Sequence, residues 1–130
     1  MTDDWIFYRS FTGSWGDHSR PLGNLHRIGF DGTQNILLSD ELIVSSILVV
    51  NNALLATVYA GREDDVDAPW HEAVVLSEDG DVVKTLGGGW HGHNSFIDIQ
   101  QLANTNMVMI IRDGAVRGLY CTATGAIFSL

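Results

Sequence analysis

One cysteine in 130 residues rules out an internal disulfide framework. Cys121 sits in an apolar, strand-like setting, where an inert buried thiol is expected. Positive charge is scarce too: seven basic residues against sixteen acidic ones give a formal charge of −9. Grip on a phosphate backbone rests on clustered Lys and Arg, so no nucleic-acid partner is expected. The acidic balance suits a cationic ligand, a basic protein surface or solubility alone. No run approaches the roughly 18 apolar residues of a membrane span. "MTDDWIF" also lacks the basic region and apolar core of a signal peptide, so a cytoplasmic chain with no membrane partner is the expectation. Catalytic signatures are equally missing. There is no G-x-S-x-G, no G-x-x-x-x-G-K-[ST] and no EF-hand loop. "LGGGWHG" has no lysine and no helix behind it to hold a phosphate.

What is present is a series of short apolar segments rich in β-branched and aromatic residues. They fall at 5–10, 25–30, 34–38, 43–50, 54–59, 72–76, 82–86, 96–101, 107–112, 116–121 and 126–130. Turn signals separate them at Asp31-Gly32, Asn51-Asn52, Asp79-Gly80, Asn104-Thr105-Asn106, Asp113-Gly114 and Thr124-Gly125, all tolerant of positive φ. Short strands at such spacing predict an all-β protein. Residues 36–50 carry a helix-like apolar spacing as well. Their Val, Ile and Ser content, and the absence of a terminating glycine, favour two strands.

Aligning the turns exposes a repeat. Gly32, Gly80 and Gly125 each stand between two apolar strands, in "LHRIGFDGTQNILL", "EAVVLSEDGDVVKTL" and "RGLYCTATGAIFSL", with separations of 48 and 45 residues. Upstream lie "DWIFYRS", "LLATVYAGRE" and "NMVMIIRD", and in the last two copies a further strand, "SSILVVNN" or "SFIDIQQLAN". The unit is four antiparallel strands at the period of propeller blades. The expected organisation is therefore three propeller-like blades, a half propeller, at about 1–42, 43–89 and 90–130. "DWIFYRS" reads as the second strand of the first blade.

"DWIFYRS…GNLHRIGFDGTQNILLSD" resembles the TolB-like, or PD40, propeller repeat, in which a W-I-x-Y strand is followed by L-x-R-I-x-x-D-G-T. "LLATVYAGRED" with "LSEDGD" resembles, more loosely, a sialidase blade with its Asp-box-like turn. No tryptophan follows Asp81 as in an Asp box, and "IVSSILVV" holds no arginine, which leaves the sialidase carboxylate-binding set incomplete. The TolB-like resemblance implies a six-bladed ring, which two chains of three blades would complete as a head-to-tail homodimer. The sialidase resemblance implies the alternative of a glycoside hydrolase completed by oligomerisation, with Asp65 or Asp67 as acid/base beside Arg62. A purely structural propeller piece is the third reading.

The candidate binding residues cluster around three tryptophans: Trp15 near His18, Trp70 before His71, and Trp90 before His91 and His93. On equivalent loops they would form an aromatic ledge able to stack on a sugar or anchor a protein. His91 and His93, two apart, would face one way on a strand, and His71, His18, Glu72 or Asp98 offers further ligands. The glycines before them point instead to a loop, so neither a metal nor another cofactor is expected. Glu63, Asp64, Asp65 and Asp67, like Glu78, Asp79 and Asp81, read as solvated acidic loops. Arg112 and Arg117 flank Asp113-Gly114 and read as a hairpin ion pair. The expected function is a non-enzymatic module that assembles with itself and binds a protein or a glycan.

Overall fold

The computed structural model describes residues 5–10, 13–14, 21–59, 69–90 and 97–130. Among the described residues there are eleven strands. They are β1 (Trp5–Arg9), β2 (Gly13–Ser14), β3 (Pro21–Gly29), β4 (Ile36–Val50), β5 (Ala53–Tyr59), β6 (Pro69–Leu76), β7 (Val82–Trp90), β8 (Ile97–Gln101), β9 (Met107–Arg112), β10 (Ala115–Cys121) and β11 (Ile127–Ser129). No helix occurs among the described residues, so none is long and apolar enough to cross a membrane. The all-β expectation is met.

Among the described residues every strand pair is antiparallel, and the strands form two hydrogen-bonded sheets. The first runs β1-β3-β4-β5-β6-β7, with β2 added to β3; the second runs β11-β10-β9-β8. Several turns behave as their residues require. Asn51 and Asn52 both take positive φ (48° and 66°) in the two-residue link from Val50 to Ala53. Asp113 and Gly114 (56° and 76°) do the same between Arg112 and Ala115. Both match the turn whose twist suits a tight hairpin.

The segments expected as two strands, 34–38 and 43–50, are joined from Ile36 onward in one strand, β4, fifteen residues long. The two halves are still distinct. Its first half pairs with β3 and its second with β5, and at the junction β4 advances from Ser39 to Val44 while β3 advances only from Leu25 to Gly23. That surplus bends the sheet. The section of β1, β3 and the first half of β4 thereby turns over one face of β5 and β6, while the second sheet lies on the other.

β5 and β6 are consequently buried on both sides, which explains why "LLATVY" and "AVVL" read as continuous apolar runs rather than alternating ones. Leu54, Ala56, Val58, Val74 and Leu76 enclose one interior with Leu25 and Val44, backed by Phe7, Leu38 and Leu42. Leu55, Ala73, Val75 and Val50 enclose the other with Ile97, Val108, Ile110 and Tyr120 of the second sheet. Each such leucine contributes about 1.5–3 kcal/mol on leaving water. Arg27 seals the edge of the first interior. Its guanidinium lies 4.2 Å from the Trp5 ring centroid, and Nη1 donates to Glu78 O at 2.8 Å and to Asp79 at 3.2 Å. Gly80 in that turn has φ +89°, and a Cβ there would stand 2.9 Å from Leu38 Cβ, so only glycine fits without displacement.

Between the two sheets there is no backbone ladder among the described residues. Besides apolar packing, three side chains cross the gap among the described residues. His71 Nδ1 accepts from the Ile97 N–H at 3.1 Å, Lys84 Nζ donates to Gly125 O at 2.6 Å, and Arg112 Nη1 donates to Gly88 O at 3.3 Å.

Candidate functional site

Of the expected ledge, Trp15, His18, His91 and His93 lie outside the described residues, as do Arg62, Glu63, Asp64, Asp65 and Asp67. Trp70 and Trp90 are held on strands at the same end of the β6–β7 pair. Pro69 is the backbone partner of Trp90, and Trp70 is the extra residue where the register shifts before His71. The run Gly87–Gly89, expected as a loop, is part of β7. Gly87 answers a packing need instead: a Cβ there would come within 2.9 Å of Ile97 Cδ1, so its absence lets the sheets approach.

His71 is not at a loop surface. It is fully buried, at 0 % exposure, and both ring nitrogens are engaged. Because Nδ1 accepts from the Ile97 N–H, the ring is the neutral tautomer with its proton on Nε2, which donates to Ser45 Oγ at 3.0 Å. Ser45 Oγ lies 2.6 Å from Thr57 Oγ1, Thr57 is itself fully buried, and Arg9 Nη1 donates to Ser45 O at 2.6 Å. A bulge brings this about: β4 advances two residues, Val44 to Ser46, while β5 advances one, which turns Ser45 toward Thr57. The Tyr59 ring packs on the imidazole at 4.9 Å. The network is structural, a satisfied polar inclusion in the interior. Among the described residues no group of three or more His, Cys, Asp or Glu is placed to hold a metal.

Two other surfaces stand out. On β1, β3 and the first half of β4, the face away from the interior carries Ile6 (45 % exposed), Ile28, Leu37 (49 %) and Tyr8, which stacks on His26 at 5.0 Å. On the second sheet the outward face carries Met107, Met109, Ile111, Val116, Leu119 and Phe128 (52 % exposed). Cys121 ends this face and is half-buried rather than enclosed as expected. The Thr124 hydroxyl and the N–H groups of Thr124 and Ala123 hold its thiol below the usual cysteine range.

The third feature is a cleft of about 180 Å³ between β7 and the inner face of the second sheet. Gly87 and Gly88 form one wall, Ile110 and Ile127 the other, and Arg112 and Arg117 both line it. The expected hairpin ion pair is not formed: neither arginine has an ion-pair partner among the described residues. Arg112 reaches across to Gly88 O because β9 places it on the inner face, opposite Ile97. A register shift between Val116 and Gly118 sets Arg117 as the extra residue of β10. Sequence spacing could not show that both join one cleft, since the opposing wall comes from β7.

Comparison with protein-family models, with curated proteins and with solved structures finds no match.

Proposed function

We propose that the protein is a non-enzymatic assembly and binding module: three propeller-like blades, related in plan to the TolB-like repeat, that associate with a second copy into a closed ring. The blades of this reading are β1, β3 and the first half of β4; the second half of β4 with β5 to β7; and β8 to β11. The observation that carries it is the pair of exposed apolar faces at opposite ends of the stack, Ile6, Ile28 and Leu37 at one and Met109, Leu119 and Phe128 at the other. Contiguous apolar surface of this kind marks an interaction site, and a face at each end of one chain is suited to head-to-tail contact that closes on itself. The protein or glycan ligand is assigned to the loops around Trp15, His18, Trp70, Trp90, His91 and His93. His71 drops out of that set because its ring is consumed inside.

Native mass of the intact chain tests the assembly. A dimer at micromolar concentration is expected, with Phe128→Asp and Leu37→Asp each giving folded monomer. Cys121, on the rim of one face, should be alkylated more slowly in the dimer than in those variants. A wild-type monomer whose apolar faces stay open to solvent overturns the reading, and glycan hydrolysis by the dimer would replace it with the glycosidase alternative.

A further inference from the structure

We propose that the cleft between β7 and the second sheet is a binding site for a small organic carboxylate. This goes beyond assembly: Phe128 borders both the cleft and the assembly face, but neither arginine that would hold the ligand belongs to that face. The charge distribution singles the cleft out. In a chain with sixteen acidic and seven basic residues, two of the seven cations line this one space, and no acidic residue does among the described residues. A pocket lined by one sign of charge with apolar walls concentrates the field and draws in the opposite ion.

The two arginines are differently placed for the task. Arg112 is anchored, with Nη1 on Gly88 O at 3.3 Å, which leaves other N–H groups of its planar fork available. Arg117 is exposed; its carbonyl accepts from the Leu130 N–H at 3.1 Å, while its guanidinium has no hydrogen-bond or ion-pair partner among the described residues. A guanidinium matches a carboxylate through two parallel N–H···O bonds, and an anchored fork loses little freedom in making them. Behind the cations the walls are Ile110, Ile127 and the bare backbone of Gly87, Gly88 and Gly118. The ligand is thus a carboxylate on a short apolar stem, either as a free acid or as the C-terminus of a peptide ending in a small apolar residue. At about 180 Å³ the space takes only a few carbon atoms behind the charge.

Isothermal titration of the intact chain with butanoate, and with butanamide as its neutral isostere, tests this. Butanoate should bind with Kd on the order of 1 mM, as a ligand of so few atoms allows. Butanamide should bind at least about tenfold more weakly, because it lacks the charge-assisted pair. Arg117→Gln should weaken butanoate by about tenfold with an unchanged melting curve, since it keeps the backbone bond to Leu130 and removes only the guanidinium. A second arm uses acetyl-Ala-Val with a free C-terminus against its amide. Binding by the peptide acid alone, lost in Arg117→Gln, identifies a peptide terminus as the source and upholds the site. Binding by neither acid, equal binding of acid and amide, or affinity untouched by Arg117→Gln overturns it.

Discussion

Leu54 and Leu55 are neighbours in sequence, both fully buried, and each belongs to a different interior. The side holding Leu54 is closed by apolar packing within one bent sheet, and Arg27 caps its edge. The side holding Leu55 joins two sheets with no shared ladder; it contains the Ser45–Thr57–His71 inclusion and opens into a glycine-walled cleft. Strands with identical burial thus support two kinds of contact. One is continuous with the backbone network and mainly apolar, with Arg27 only at its edge, while the other is discontinuous and depends on polar side chains to fix how the layers meet.

Leu54→Ala and Leu55→Ala test that division most strongly. Each should lower unfolding stability by about 2–5 kcal/mol in denaturant titrations. Amide exchange should separate them, with Leu54→Ala releasing Leu25 and Phe7 and Leu55→Ala releasing Val108 and Ile110. The same pattern from both would erase the distinction. His71→Leu keeps most of the volume but strands the Ile97 N–H, and a loss of about 1–3 kcal/mol is expected. Its exchange signature should be confined to β8 and β9. Arg27→Met acts on the opposite interior and should cost only about 1 kcal/mol, because Asp79 is largely exposed and the ion pair is screened; faster exchange should be limited to β1 and β3.

The smallest effect is a surface control. The Thr33 hydroxyl, then the Thr33 N–H, lowers the Asp31 carboxyl below its ordinary value of 3.8. Since the folded value lies below the unfolded one, the contribution is present above pH 3.8 and disappears as pH falls through the lower folded value. Thr33→Val should move the Asp31 midpoint upward in an NMR titration and leave both interiors undisturbed.

The strands and tight turns were legible because they depend on local signals. Asn51-Asn52 and Asp113-Gly114 announce hairpins whatever surrounds them. The unity of β4 was hidden because its apolar pattern breaks between Ser39 and Val44, where the bend needs it to. Gly87–Gly89 looked like a loop because nothing nearby in sequence shows Ile97 pressing against that strand. His71 looked like a rim residue for a similar reason, with Ser45 and Ile97 each 26 positions away. Ser45 and Thr57, polar residues inside apolar strands, were the available clue to a buried partner. The propeller assignment rests on repeat spacing and resemblance, whereas the arginine cleft emerges only when β7 faces the second sheet.

The single strand β4 has a consequence for how the molecule yields. Because one backbone runs through both the first section and the strands behind it, peeling those apart means breaking that continuous strand's pairing with β3 or with β5. The second sheet has no such spine. Among the described residues its attachment is packing plus the bonds of His71, Lys84 and Arg112, so it is expected to separate first under tension or mild heating, as an intact four-stranded panel. Leu55, packed between that panel and the strands it covers, is the latch of the door.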